Sequence, residues 1–232
     1  MKNKKIILLI LILLIFITII LGVYFVFFYQ NKSNITNTTN PSNVINLNIS
    51  TDKPIIYIYP EETTSLLISL GYPEKITCSY PTYSEKWDVT AYPDGTLIDN
   101  TTNRELYALY WEGENFNASV ADEGFIVNKN ETVKFLEEKL DILGLSNKEA
   151  EEFIIYWLPK LQESEYNYIR FTSQEELNSY MPLEFSKEPD TLIRIHMQFK
   201  HLDEPIKVKE QILNKKERRG FTVVEWGGTE IK

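Results

Sequence analysis

The sequence predicts an α+β fold: a largely antiparallel β-sheet or sandwich with an inserted antiparallel helix pair, preceded by one transmembrane helix. Three observations carry this expectation. Residues 6–28 form an apolar run softened only by Thr18, Gly22 and Tyr24. From residue 53 onward, short β-like runs are separated by Pro, Gly and Asn. Between residues 133 and 161 the apolar spacing becomes that of a helix, and strand-like runs then resume.

As a helix the first run spans about 34 Å, enough for the hydrocarbon core of a bilayer. It is too long for a signal-peptide core, and neither a small-residue cleavage site nor a lipoprotein cysteine follows it. Lys2, Lys4 and Lys5 precede it and only Lys32 follows closely, which places the N-terminus in the cytoplasm. Tyr24, Phe25, Phe27, Phe28 and Tyr29 suit an aromatic belt at the outer interface. The expected organisation is a basic cytoplasmic tail (1–5), a signal anchor (6–28), a polar flexible stalk (29–52) and an extracytoplasmic domain (53–232). The protein is therefore expected in the cell membrane, single-pass, held by lipid around residues 6–28. The stalk is rich in Asn, Ser and Thr and has too little apolar surface to fold. Acceptor triplets for N-glycosylation occur at Asn31, Asn34, Asn37, Asn48, Asn100, Asn117 and Asn130, as an Asn-rich composition also produces by chance.

The net charge is −9; the first 52 residues hold four lysines against Asp52, so the remainder carries −12. An acidic surface of that size repels nucleic acid. Lys207, Lys209, Lys215, Lys216, Arg218 and Arg219 form a local basic stretch, read as a solvated loop. Cys78 is the only cysteine, so no intrachain disulfide forms; it lies in an alternating run as a small half-buried strand residue.

In order, strands are expected at residues 55–59, 66–70, 76–80, 87–92, 97–99, 105–112 and 125–127. Asp94-Gly95 makes a hairpin of the fourth and fifth. Val133, Leu136, Leu140 and Leu143 recur at helix spacing, and Gly144 ends that helix. Ser146 with Glu149 opens the next helix as a capping box, and Phe153, Trp157 and Leu161 lie on its apolar stripe, with Pro159 disturbing the last turn. Residues 168–172 return to a strand and 173–180 form a short helix. Residues 191–200 alternate, with Ile193, Ile195, Met197 and Phe199 on one face and Arg194, His196, Gln198 and Lys200 on the other. That pattern predicts a half-buried antiparallel strand whose polar face is wet. Residues 221–226 form a last strand ended by Gly227-Gly228.

Six segments stand out: Lys53-Pro-Ile-Ile-Tyr-Ile-Tyr-Pro60, Trp87-Asp-Val-Thr-Ala-Tyr-Pro-Asp-Gly-Thr-Leu97, Tyr110-Trp-Glu-Gly113, Tyr156-Trp-Leu-Pro159, Pro189-Asp-Thr-Leu-Ile-Arg194 and Glu225-Trp-Gly-Gly228. Together, in this order over residues 53–229, the chain resembles a widespread uncharacterised family of extracytoplasmic domains. The resemblance implies one domain of this architecture and transfers no activity, ligand or catalytic residue.

The chain has no phosphate-cradling Gly-rich loop, no HExxH, no paired-Cys metal site and no GxSxG elbow, and hence no signature of a cofactor or a metal centre. What remains are acidic and aromatic residues at strand ends. Glu112 follows Trp111, and Glu225 precedes Trp226. A carboxylate beside an indole is desolvated and becomes a candidate general acid. Glu112 and Glu225, with His196, are the candidate catalytic residues. Arg194 and Arg170, which offer bidentate forks inside apolar strands, join Trp111, Trp226 and Trp87 as candidate ligand contacts. The leading functional reading is a membrane-anchored extracytoplasmic binding or interaction module with an envelope glycan or protein as partner. The alternative is an envelope hydrolase acting on glycans through paired carboxylates.

Overall fold

The computed structural model describes residues 45–231. The described residues open with a long strand, β1 (Ile45–Tyr59), and continue through β2 (Thr64–Leu70), β3 (Ile76–Tyr80), β4 (Trp87–Ala91), β5 (Leu97–Asp99), β6 (Arg104–Leu106), β7 (Leu109–Val120) and β8 (Glu123–Asn128). The helix pair α1 (Thr132–Ile142) and α2 (Asn147–Leu161) follows, then β9 (Tyr166–Thr172), the short α3 (Gln174–Tyr180), β10 (Leu183–Phe185), β11 (Thr191–Leu202), β12 (Lys209–Glu210) and β13 (Thr222–Glu230). The fold is α+β and dominated by strands. Among the described residues no helix is long and apolar enough to cross a membrane. The predicted anchor, and the stalk up to residue 44, lie outside them.

Alternation along the strands builds three layers. An eight-stranded sheet has the order β12-β8-β9-β11-β13-β1-β7-β3, and a five-stranded sheet the order β10-β2-β4-β5-β6. Ile56 and Ile58 of β1, Val223 of β13 and Leu109 and Trp111 of β7 pack with Leu66, Ile68, Trp87, Val89 and Leu97 of the smaller sheet. The next residues along the same strands point the other way. Ile55, Tyr57, Val224 and Trp226 meet Leu136, Leu140, Phe153, Trp157 and Leu161 of the helix pair. The period of two in the strands thus feeds two cores from one sheet.

The helix pair forms where the periodicity places it. Gly144 takes φ +91° after α1, a conformation that favours glycine. Ser146 and Glu149 make the reciprocal capping box of α2. Ser173 and Glu176 make a second one on α3. The hairpin also forms: Gly95 takes φ +89°, and Asp94 accepts the Thr96 N–H at 2.9 Å.

Five expectations are corrected. Cys78 of β3 is exposed rather than half-buried. Residues 45–52, composed like a stalk, belong to β1: they pair with the distal half of β7, and Leu47 and Ile49 pack into the core between the sheets. Residues 105–112 are not one strand but the ends of two, β6 in the small sheet and β7 in the large one. Gly227-Gly228 does not end the last strand, because β13 runs on to Glu230. β11 is antiparallel to β9 but parallel to β13, and its polar face is buried, not wet. That face lies beneath α3, which the sequence placed but could not position.

Candidate functional site

The buried polar face of β11 gathers most of the predicted site residues. Arg194 Nε donates to Glu225 Oε2 at 2.6 Å, and its Nη1 donates to Asn178 Oδ1 and to the Met181 carbonyl, each at 2.7 Å. Glu225 Oε1 accepts Trp111 Nε1–H at 3.1 Å. Arg170 Nη2 reaches both oxygens of Glu176, at 2.7 and 2.8 Å. Thr172 pairs across the sheet with His196, whose Nε2 lies 3.0 Å from Thr51 Oγ1. Arg194 is 5 % exposed, Glu225 3 % and His196 2 %. The two arginines therefore bind the protein's own carboxylates and carbonyls.

The three candidate tryptophans are core. Trp87 donates to the Pro81 carbonyl at 2.9 Å and meets Tyr83 edge-on. Trp111 is committed to Glu225. Trp226 packs edge-on against Phe153 beneath α2. None offers an open ring face.

Glu112 and Glu225 do not converge. Trp111 carries its indole to the Glu225 side of the sheet, so its neighbour Glu112 points to the opposite face. His196 is equally remote from general acid–base work. Burial pushes its imidazole down to about 3, with the Arg194 charge acting in the same direction. This fixes a pH dependence. An unfolded histidine titrates near 6.5, so below that pH the unfolded chain takes up a proton that the folded chain refuses. Stability contributed by this site is full above that pH and falls as the pH drops toward about 3, by up to about 1.4 kcal/mol per unit. Urea unfolding of His196→Gln between these pH values should give a flatter profile than the parent; parallel profiles would refute the assignment.

The other face holds a cluster that the sequence did not assemble. Asp52 pairs with Gly228 and Ile55 with Trp226, so β1 carries one extra residue against β13. The pairing with β7, from Thr51 and Gly113 to Ile55 and Tyr110, has the same surplus. At this bulge Lys53 takes φ +59°, a conformation strained for any residue with a side chain, and Pro54 follows it. Gly227 permits the fold-back, since a Cβ there would lie 3.0 Å from the Pro54 nitrogen. At Gly228 a Cβ would lie 2.6 Å from the Met197 carbonyl oxygen and 2.8 Å from the Trp157 ring.

Around the bulge, Glu112 accepts the Lys53 N–H at 3.3 Å and bonds the Tyr110 hydroxyl. Lys53 Nζ lies 5.3 Å from the centre of the Tyr110 ring and 5.6 Å from that of Tyr156. Lys160 Nζ stands 3.6 Å from Asp52 Oδ2. Burial raises the Asp52 carboxyl; Lys160 opposes this and Glu112 adds to it. The Tyr156 phenol is pushed up to about 12, chiefly by burial. Asp52, Lys53, Tyr110, Glu112, Tyr156 and Lys160 are all half-buried. Four of the six landmark segments, those containing Lys53, Glu112, Tyr156 and Gly227, thus meet at one place on the surface. The sequence signal was the recurring mixture of aromatic residues, acids, Gly and Pro, but no spacing rule joins segments this far apart. Among the described residues no three His, Cys, Asp or Glu side chains are grouped to hold a metal ion.

No family model, no curated protein and no solved structure matches this chain.

Proposed function

We propose that this chain is a membrane-anchored extracytoplasmic binding module that takes a polar, polyhydroxylated envelope ligand at the β1 bulge. Residues 6–28 tether it through membrane lipid, with the N-terminus cytoplasmic. The observation that carries the reading is the meeting of four distant segments around the strained Lys53. Strain of that kind is retained where surrounding structure imposes it, and such positions cluster at ligand sites. The groups gathered there suit a glycan: two carboxylates accept hydroxyl hydrogens, two ammonium groups donate, and two phenol rings supply apolar edges. The candidates buried on the opposite face act as scaffold beneath the site.

The test is a glycan-array screen of the full chain in detergent, comparing the parent with Glu112→Gln. The expected result is binding to at least one glycan class, weakened roughly tenfold, about 1.4 kcal/mol, by the substitution, with an unchanged unfolding midpoint. Binding indifferent to Glu112 would overturn the site.

One observation favours a hydrolytic variant of this reading. The carboxylate beside Glu112 is Asp52, which burial holds partly protonated to higher pH and so fits a general acid. Release of reducing ends from a bound glycan, abolished in Asp52→Asn, would establish catalysis; binding without release keeps the module reading.

A further inference from the structure

The polar face of β11 continues across β9, because Thr172 pairs with His196 and Arg170 with Gln198. α3 and the residue after it lie over this layer. Glu176 binds Arg170, and Asn178 and the Met181 carbonyl bind Arg194. The Tyr180 hydroxyl stands beside that of Thr172, and both guanidinium charges act on it. Arg170, Thr172, Tyr180, Arg194 and His196 are each 6 % exposed or less.

Five buried polar atoms of this layer have no hydrogen-bond partner among the described residues: Arg170 Nε, Arg194 Nη2, His196 Nδ1 and the hydroxyls of Thr172 and Tyr180, which adjoin without the geometry of a bond. All five can donate. Guanidinium nitrogens only donate, hydroxyls donate or accept, and Nδ1 donates when the Thr51 hydroxyl gives its hydrogen to Nε2. A buried donor without an acceptor is costly. The oxygens nearby are already engaged: both Glu176 oxygens, Glu225 Oε2, Asn178 Oδ1 and the Met181 carbonyl accept from the guanidiniums. Water would bring further hydrogens to the same oxygens, whereas an anion brings none. Each guanidinium is matched by one carboxylate, so the surplus here is of donors rather than of charge.

We propose that the layer beneath α3 is a binding site for a small monovalent anion of halide size, which accepts hydrogen bonds from Arg170 Nε, Arg194 Nη2 and the Thr172 and Tyr180 hydroxyls. A cavity of about 170 Å3 supplies the route to it. The cavity opens where β9 stops at Thr172 while β11 runs back to Thr191. It is lined by the buried Thr172 and Arg194 and by the exposed Asn214 and Lys216, so it reaches from the surface to the polar layer. The ion ties α3 to β9 and β11. Its occupancy therefore sets how firmly α3 is held over the sheet, independently of any ligand at the β1 bulge.

The test uses the full chain in detergent, with sodium bromide replacing sodium gluconate at constant ionic strength. The melting temperature should rise with bromide and saturate, as mass action on a folded-state site requires. Thr172→Val with Tyr180→Phe removes two donors without changing shape or charge, and should raise the bromide concentration at half rise about tenfold. Tyr180→Phe alone should give a smaller shift in the same direction. Crystals grown in bromide should show an anomalous peak within hydrogen-bond distance of Arg170 Nε and Arg194 Nη2. A melting temperature indifferent to bromide, with density beneath α3 that carries no anomalous signal, would assign the layer to water and overturn the proposal. Bromide found at exposed lysines and not beneath α3 would be an adventitious ion only and would overturn it too. A saturable rise that persists unchanged in the double variant would place the responsible site elsewhere, with the same consequence.

Discussion

Glu225→Ala is expected to lower the unfolding free energy by about 3–5 kcal/mol, a large share of the roughly 5–15 kcal/mol that holds a domain together. The Glu225 carboxylate is the charged partner of Arg194, whose side chain has no solvent exposure, and it also accepts the Trp111 indole N–H. Without it, the guanidinium keeps only Asn178 and the Met181 carbonyl and remains a buried, uncompensated charge. The loss belongs mainly to that stranded charge, so adding Arg194→Met to Glu225→Gln should recover much of it. Urea unfolding at constant m-value reads both changes. A loss below about 1 kcal/mol in the single variant would mean that the pair is solvated and the polar face of β11 is not sealed.

Trp226→Ala should cost about 3–5 kcal/mol, chiefly by opening a cavity between the eight-stranded sheet and α2. Its ring has no solvent exposure and meets Phe153 at 5.4 Å and Tyr57 at 6.5 Å. For a domain of this size the loss corresponds to roughly 6–20 °C in Tm. Trp226→Phe should retain most of the stability, because the volume lost is smaller. If Trp226→Ala instead left the melting curve in place and abolished ligand binding, the ring would have to be reachable from solvent, contrary to its position.

The extent to which the sequence was legible follows from these residues. The capping box of α2, the Asp94-Gly95 hairpin and the helix pair were readable because they depend on neighbours within a few positions. The alternation of β11 was also readable, but the fate of its polar side was not. Arg194, His196 and Gln198 look like a wet face until α3 and the proximal turn of Met181 are laid over them, and that is a long-range fact. Composition misled at residues 45–52, where Leu47 and Ile49 are sparse apolar signals in an Asn-rich stretch, yet a partner strand in β7 suffices to order them. Glu112 was singled out and does lie in the candidate site, but with Asp52, Lys53 and Lys160 as its companions rather than Glu225. Strand register decides that outcome, and a one-residue bulge at Lys53 is not written in any local pattern.

The bulge site would be tested most directly by a crystal structure of the chain soaked with the tightest glycan from the array. The expected result is ligand density against Glu112, Tyr110 and Tyr156, with the Lys53 side chain drawn off the rings or bonded to a sugar hydroxyl. Density at another surface, with the bulge unchanged, would contradict the assignment and leave the convergence of the four segments as a purely structural knot.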